Sequence, residues 1–238
     1  MIVIVILTIA RNLEQAKQVQ RHLKEHKFPK SIIRISECAP KGSSNKTISE
    51  SIFTSHYETL QWFLQQYPST KSDQHTLIVM EDDCEFIVKK PVWPRVHETL
   101  KYLNKNHPQW ATLSIGHCPI GPIFPTEHSE LVYSSLPYGA HCYALHGLEF
   151  QTLICKHKRW TRPFAFEGWL NLALRQKFAF YPTIATQNRL PRDMKFFEPL
   201  NLNFCEVVHI TESVMMYSLQ GICIIVLFVM LVSLLRKR

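Results

Sequence analysis

Three consecutive carboxylates, Glu81, Asp82 and Asp83, directly follow an apolar run at residues 77–80. The run has the composition of a strand that is buried on both faces. In open α/β sheets, ligands collect where strands end at their carboxyl edge. We therefore expect the three carboxylates at such an edge, where a divalent cation held by oxygen ligands would balance their charge. A solvated acidic turn after a core strand is the alternative.

Strand and helix patterns alternate along the chain, which is typical of an α/β fold with a mostly parallel sheet and helices on its faces. Strands are predicted at residues 2–9, 32–36, 76–80, 111–115, 131–135, 141–146 and 180–185. Helices are predicted around residues 13–23, 48–67, 96–103, 147–156 and 167–176. Residues 118–128 contain three prolines and few helix formers, so we expect a functional loop there.

The end of the chain differs in composition from the rest. Residues 214–235 carry no charge, and Arg236, Lys237 and Arg238 follow. At 1.5 Å per residue such a segment spans a hydrocarbon core of about 30 Å. This predicts a domain at residues 1–195, a linker at 196–213, one transmembrane helix at 214–235 and a basic tail at 236–238. The apolar start runs straight into Arg11 without a basic leader, so we read it as a strand and expect a membrane-anchored domain in the cytosol, with a luminal domain as the alternative.

The charge distribution and the cysteine spacing argue against some functional classes of protein. The net charge is +8, but the basic residues are scattered, so no nucleic-acid partner is expected. None of the seven cysteines forms a CxxC pair, which argues against a zinc ribbon or a thioredoxin-type motif. Buried, reduced thiols are the simpler interpretation.

Four segments flank the acidic triplet in a recognisable order: SIFTSHYETLQWFL at residues 51–64, GAHCYALHGLEFQTLI at 139–154, PFAFEGWLNLAL at 163–174 and YPTIATQNRLPRDM at 181–194. With the triplet, they resemble glycosyltransferase family 25, which contains lipooligosaccharide galactosyltransferases and collagen galactosyltransferase domains. The resemblance covers nearly the whole predicted domain. It implies a single glycosyltransferase-A, Rossmann-like fold and a DxD-like motif.

The resemblance also implies residue roles. Asp83 would bind Mn²⁺ or Mg²⁺, Asp82 would share the metal or reach the ribose, and Glu81 would support both. Glu167 is the candidate general base, because it begins a predicted helix among aromatic residues that would raise its pKa. An ordinary carboxylate stabilised by the helix dipole is the alternative for Glu167.

Three further residues are candidates for donor binding. His56 follows Ser55 on a predicted helix and would contact the nucleotide or position the acidic triplet; a structural histidine is the alternative. Gly139 would let the backbone approach a sugar closely. Gln187 matches a late glutamine of the family, although a polar loop would also explain it.

The function that these features predict is transfer of a hexose, galactose or glucose foremost, from a nucleotide sugar, with UDP-sugars the first choice. The acceptor would be a glycan, a lipid or a protein at the membrane, and the reaction would be inverting. A catalytically inactive membrane-bound adaptor of the same fold is one alternative. A metal-dependent phosphohydrolase is another, although such enzymes draw ligands from several strands to hold two metals.

Overall fold

The computed structural model describes residues 1–36, 45–67, 75–146, 166, 169–170 and 174–187, and it leaves undescribed the side chains of residues 45–49, 117–122, 135–138 and 140. All of the described residues belong to one compact unit, Met1–Arg189. The predicted linker, transmembrane helix and basic tail lie outside them. No helix among the described residues is long and apolar enough to cross a membrane.

The first half of the chain builds a parallel block. Strand β1 (Ile2–Ile9) pairs in parallel with β2 (Ser31–Ser36) on one side and with β3 (Thr76–Glu81) on the other. Helix α1 (Leu13–Glu25) connects β1 to β2, and α2 (Asn45–Gln66) precedes β3. Because the three strands are parallel, their carboxyl ends share one edge of the sheet.

The second half is dominated by a long hairpin. Strand β5 (Thr112–Pro125) pairs antiparallel with β6 (Leu131–His146), which also runs antiparallel to β3. The short strand β7 (Lys177–Phe180) pairs in parallel with β5 and antiparallel with β6. Strand β8 (Ala185–Gln187) pairs in parallel with β5 on one side. On its other side it pairs antiparallel with β4 (Cys84–Phe86), which forms the sheet edge. The result is an eight-stranded mixed sheet in the order β2-β1-β3-β6-β7-β5-β8-β4.

Both faces of the sheet are covered, as the apolar runs predict. Alternate residues of β1 and β3 enter two separate clusters: Ile4 and Ile78 pack with α1 and with α3 (Val92–Asn106), whereas Val5 and Val79 pack with α2. A strand whose side chains are buried on both faces needs no polar alternation. This explains why β1 and β3 read as unbroken apolar segments.

Several sequence predictions about this half of the chain were wrong. Residues 118–125 are not a loop but the second half of β5, where Pro119 pairs with Pro137. The register shift between Ile120 and Ile123 leaves Pro122 outside the regular ladder, as bulges do, whereas Pro119 and Pro125 have partners on β6. The two short strands predicted at 131–135 and 141–146 form one strand, β6.

The last predicted strand, residues 180–185, is divided. Strand β7 ends at Phe180 and β8 begins at Ala185, and the intervening residues include the cis peptide between Tyr181 and Pro182. Strand β4 was not predicted. The helix predicted at 147–156 lies outside the described residues, and residues 174–176 of the one predicted at 167–176 are not helical.

Candidate functional site at the carboxyl end of strand β3

The acidic triplet lies where the sequence predicts it, at the carboxyl edge of the parallel block. Glu81 is the last residue of β3 and pairs with Leu7 of β1. Asp82 and Asp83 form the turn that leads into β4. All three are partly exposed, whereas the β3 residues before them are buried. The triplet is therefore anchored by a rigid strand and opens toward solvent.

Glu81 is held by hydrogen bonds from two distant elements. The Nε2 atom of His56, on α2, lies 3.2 Å from one carboxylate oxygen. The side-chain amide of Gln187, at the end of β8, donates to the other oxygen at 3.1 Å. Both oxygens are thus engaged, so the position of this carboxylate is fixed by the protein itself.

His56 is in turn fixed by its own neighbours. Its side chain is 1% exposed, and its Nδ1 lies 2.9 Å from the hydroxyl of Tyr143 on β6. The imidazole stacks on the ring of Phe166, with centroids 4.3 Å apart. A consistent assignment has the Tyr143 hydroxyl donating to Nδ1 and Nε2–H donating to the Glu81 carboxylate. Tyr143, His56 and Glu81 therefore form a buried hydrogen-bonded chain that ends at the triplet.

The electrostatic environment keeps Glu81 ionised. Burial by itself would raise the pKa of Glu81, but the hydrogen bond and electrostatic attraction of His56, then the attraction of His141 and the bond from Gln187, outweigh that effect. The pKa of Glu81 is therefore lowered from its usual value.

Asp82 is tied to the neighbouring strand. The hydroxyl of Thr8, a buried residue on β1, donates to an Asp82 carboxylate oxygen at 2.6 Å. Because Leu7 pairs with Glu81, the register places Thr8 beside Asp82. This short, charge-assisted bond fixes the first residue of the turn to the ends of both parallel strands.

A buried histidine lies beneath the triplet. His141, on β6, is fully buried, and burial lowers its pKa although the charge of Glu81 opposes that shift. Its ring packs so closely against Gly116 of β5 that a Cβ at that position would come within 2.6 Å of Nε2. The glycine is therefore required by the packing of His141 in the hairpin.

Two buried thiols complete the surroundings. Cys84, the first residue of β4, and Cys142 of β6 are both free and buried. The hydrogen bond to the Cys142 thiol, then burial, then the charges of Asp83 and Glu81 raise the pKa of Cys84. The raised pKa favours the protonated thiol of Cys84.

The carboxylates of the triplet suit a cation that is bound partly by protein side chains and partly by phosphate oxygens. Among the described residues, no group of three or more His, Cys, Asp or Glu side chains is arranged to hold a metal. Asp82 and Asp83 are adjacent carboxylates, and Mg²⁺-type sites commonly use one or two carboxylates with substrate phosphates as the remaining ligands. The two aspartates suit such a site, whereas Glu81 is already engaged by His56 and Gln187.

The structure brings together Glu81, Asp82, His56 and Gln187, which lie in three separate segments of the sequence. Gly139 lies within β6 with a φ of 93°, a conformation that favours glycine. Glu167, the predicted general base, lies outside the described residues. Its neighbour Phe166 is described, and it contacts His56.

Sequence reasoning missed three members of the site: Thr8, His141 and Tyr143. Thr8 is a polar residue at the end of an otherwise apolar strand, and that irregularity was the one available signal for it. His141 and Tyr143 lie within a quoted segment, but nothing in their spacing shows that β6 lies beside β3.

No family model and no curated protein sequence matches this chain. Among solved structures, the chain is similar to a glycosyltransferase involved in the glycosylation of the major capsid of PBCV-1. That similarity has a TM-score of 0.46 at 13% sequence identity, and it covers 80% of this chain and 96% of the other.

Proposed function

We propose that this chain is a metal-dependent glycosyltransferase that moves a hexose from a nucleotide sugar to a glycan, lipid or protein acceptor. The observation that carries the proposal is that the carboxylates of the triplet are held by different parts of the protein. Glu81 is fixed by His56 and Gln187, and Asp82 is fixed by Thr8. Two adjacent aspartates thereby stay at a strand end where phosphorylated ligands collect in α/β folds.

In the proposed reaction, Asp82 and Asp83 hold a divalent cation, Mn²⁺ or Mg²⁺, together with the donor diphosphate. When bound, the cation supplies charge stabilisation for the departing nucleoside diphosphate. Glu81, Thr8 and His56 keep the aspartates in place, so little reorganisation is needed as charge develops.

Glu167 is the proposed general base. It accepts the proton of the acceptor hydroxyl while the acceptor oxygen forms a bond to the anomeric carbon and the bond from that carbon to the diphosphate breaks. A single displacement of this kind inverts the anomeric configuration. A UDP-sugar carrying galactose or glucose is the proposed donor, in keeping with the family that the sequence resembles, and the membrane is the proposed location of the acceptor.

The test is a thermal-shift screen of the full-length protein with UDP-sugars and GDP-sugars, each with and without Mn²⁺. We expect one nucleotide to raise the melting temperature only when Mn²⁺ is present. The double substitution Asp82→Asn/Asp83→Asn should abolish that rise. Glu85→Gln, which changes an exposed carboxylate on β4, is the matched control and should retain it.

Analysis of the reaction products distinguishes the glycosyltransferase from the adaptor and the phosphohydrolase. Glu167→Gln should keep the Mn²⁺-dependent shift but lose sugar transfer. A folded protein that responds to no nucleotide sugar would contradict the proposal and favour the adaptor. Release of phosphate without transfer to any acceptor would instead indicate the phosphohydrolase.

A further inference from the structure

A concave site lies at the edge of the sheet opposite the acidic triplet. It has a volume of about 850 Å³ and is lined by residues of α3, the β5–β6 turn and β7. Because β5 and β3 both run antiparallel to β6, the start of β5 lies at the edge opposite the end of β3. Gln176 and His107, which line this site, precede β7 and β5 at that opposite edge. We call it the aromatic cleft.

Four rings form a continuous aromatic surface in the cleft. Tyr102 contacts His107 with ring centroids 5.7 Å apart, and His107 contacts Phe178 at 4.9 Å. Tyr133 then meets Phe178 edge to face at 5.7 Å. Phe178 is buried, whereas Tyr102, His107 and Tyr133 are partly exposed. The cleft therefore offers ring surface to a ligand instead of sealing it within the core.

Hydrogen bonds fix the walls of this cleft in advance. The Tyr133 hydroxyl donates to the backbone carbonyl of Arg175 at 2.8 Å, which orients its ring. Outside the lining, Arg95 near the start of α3 makes two hydrogen bonds to the carboxylate of Glu130, at 2.7 and 3.2 Å. That pair joins α3 to the β5–β6 turn. A site with fixed walls loses little entropy when it binds a ligand.

The chemistry of the lining selects the class of ligand. None of the described residues that line the cleft is Lys or Arg, and Glu127 contributes negative charge. A phosphate or a nucleotide would therefore find no Lys or Arg in the lining to pair with. Gln176 and the side-chain oxygen of Asn106 offer neutral polar groups beside the rings, whereas the Asn106 amide nitrogen already donates to the Tyr102 carbonyl and the Thr126 hydroxyl to the Leu131 carbonyl. A neutral ligand with an apolar face and many hydroxyl groups matches this combination.

We propose that the aromatic cleft binds a neutral oligosaccharide. A pyranose ring has an apolar C–H face that packs on an aromatic ring, and its hydroxyl groups reach side-chain amides at the rim. The cleft accommodates more than one sugar unit, since pockets of 300–1,000 Å³ typically hold drug-sized ligands. This site does not depend on the donor site proposed above.

The experiment is saturation-transfer NMR and calorimetry with the full-length chain, kept in a detergent without a sugar headgroup. The probes are neutral oligosaccharides built from glucose, galactose or mannose, and the corresponding sugar phosphates serve as charged comparators. We expect at least one neutral oligosaccharide to bind and its phosphorylated form to bind more weakly.

Substitutions test whether the oligosaccharide binds in the aromatic cleft. Tyr102→Ala should weaken oligosaccharide binding by about tenfold, the scale of one lost aromatic contact, whereas Tyr102→Phe should bind as the wild type does. Asp82→Asn/Asp83→Asn should leave oligosaccharide binding intact, and Tyr102→Ala should leave the Mn²⁺-dependent nucleotide shift intact. The proposal is overturned if the folded wild-type protein binds no neutral oligosaccharide, or if Tyr102→Ala binds one unchanged.

Discussion

The hydroxyl of Thr8 donates a hydrogen bond to the carboxylate of Asp82 across 2.6 Å, and 74 positions of sequence separate the two residues. The bond joins the carboxyl ends of two parallel strands at the point where the acidic turn begins. It makes the first aspartate of the turn part of the sheet edge. The position of this aspartate therefore depends on β1 as much as on β3.

Thr8→Val keeps the shape of the side chain and removes the donor to Asp82. We expect the free energy of unfolding to fall by roughly 1.5–3 kcal/mol, because the lost bond has a charged acceptor. Urea denaturation measures this loss. Thr8→Ser is the control and should retain most of the stability. Equal stability of the valine and serine variants would contradict the role assigned to the hydroxyl.

His56→Phe should destabilise the protein by about 1–3 kcal/mol, the scale of a buried polar group that loses a partner. The substitution keeps a ring against Phe166 but leaves one Glu81 oxygen without its donor. The double variant His56→Phe/Glu81→Leu removes both polar partners, so it should recover part of the loss. Chemical denaturation of the four proteins in this cycle gives the coupling energy, and strictly additive effects would argue against the contact.

Gly116→Ala should destabilise the protein by about 1–3 kcal/mol, the usual range for overpacking. The new Cβ would lie within 2.6 Å of the His141 ring and 3.0 Å from the Ala185 Cβ. Adding His141→Ala removes the ring that the new methyl group meets. The double variant should therefore lose less stability than the sum of the two single variants, as thermal or urea unfolding would show.

His26 should make the stability depend on pH. Burial, and then the charge of His22, lower the pKa of His26 below its usual 6.5, with Glu25 and the Lys90 carbonyl acting in the opposite direction. The unfolded chain therefore binds a proton more readily than the folded one, so stability is complete above pH 6.5 and falls as the pH drops toward the folded pKa.

His26→Gln should reduce the loss of stability between neutral pH and pH 5. His97→Gln, which changes a partly exposed histidine on α3, is the control and should behave like the wild type. Denaturant midpoints measured across this pH range for the wild type and both variants test this expectation. An unchanged slope in His26→Gln would assign the acid sensitivity to other groups.

Cys84 should resist thiol reagents in the folded protein. Its neighbour Cys142, its burial and the nearby carboxylates raise its pKa, so little thiolate is present near neutral pH. Alkylation at pH 8 followed by peptide mass spectrometry should show Cys84 labelled only after unfolding. Rapid native labelling of Cys84 would show that β4 opens readily.

The sequence predicted those elements whose local residue pattern also reflects their position in the fold. The strands β1 and β3 were predictable because burial on both faces gives an unbroken apolar run, and the triplet was predictable because it ends such a run. The hairpin was not predictable, since the prolines between Cys118 and His128 are typical of a loop, whereas Pro119 and Pro125 lie at paired positions of the strand. Tyr143 joins the site through the placement of β6, which no local spacing encodes. Gln187 was a candidate from the sequence, but its bond to Glu81 depends on the placement of β8.

Gln187 reaches Glu81 across 106 positions of sequence, and it lies on one of the last strands that the structure describes. Contacts between such distant residues form slowly, because a large loop must close before they contribute to stability. During synthesis, β1 and β3 emerge well before β8. A nascent chain that ends before β8 would present Glu81 without the Gln187 bond, so the acidic edge reaches its final geometry only as folding nears completion.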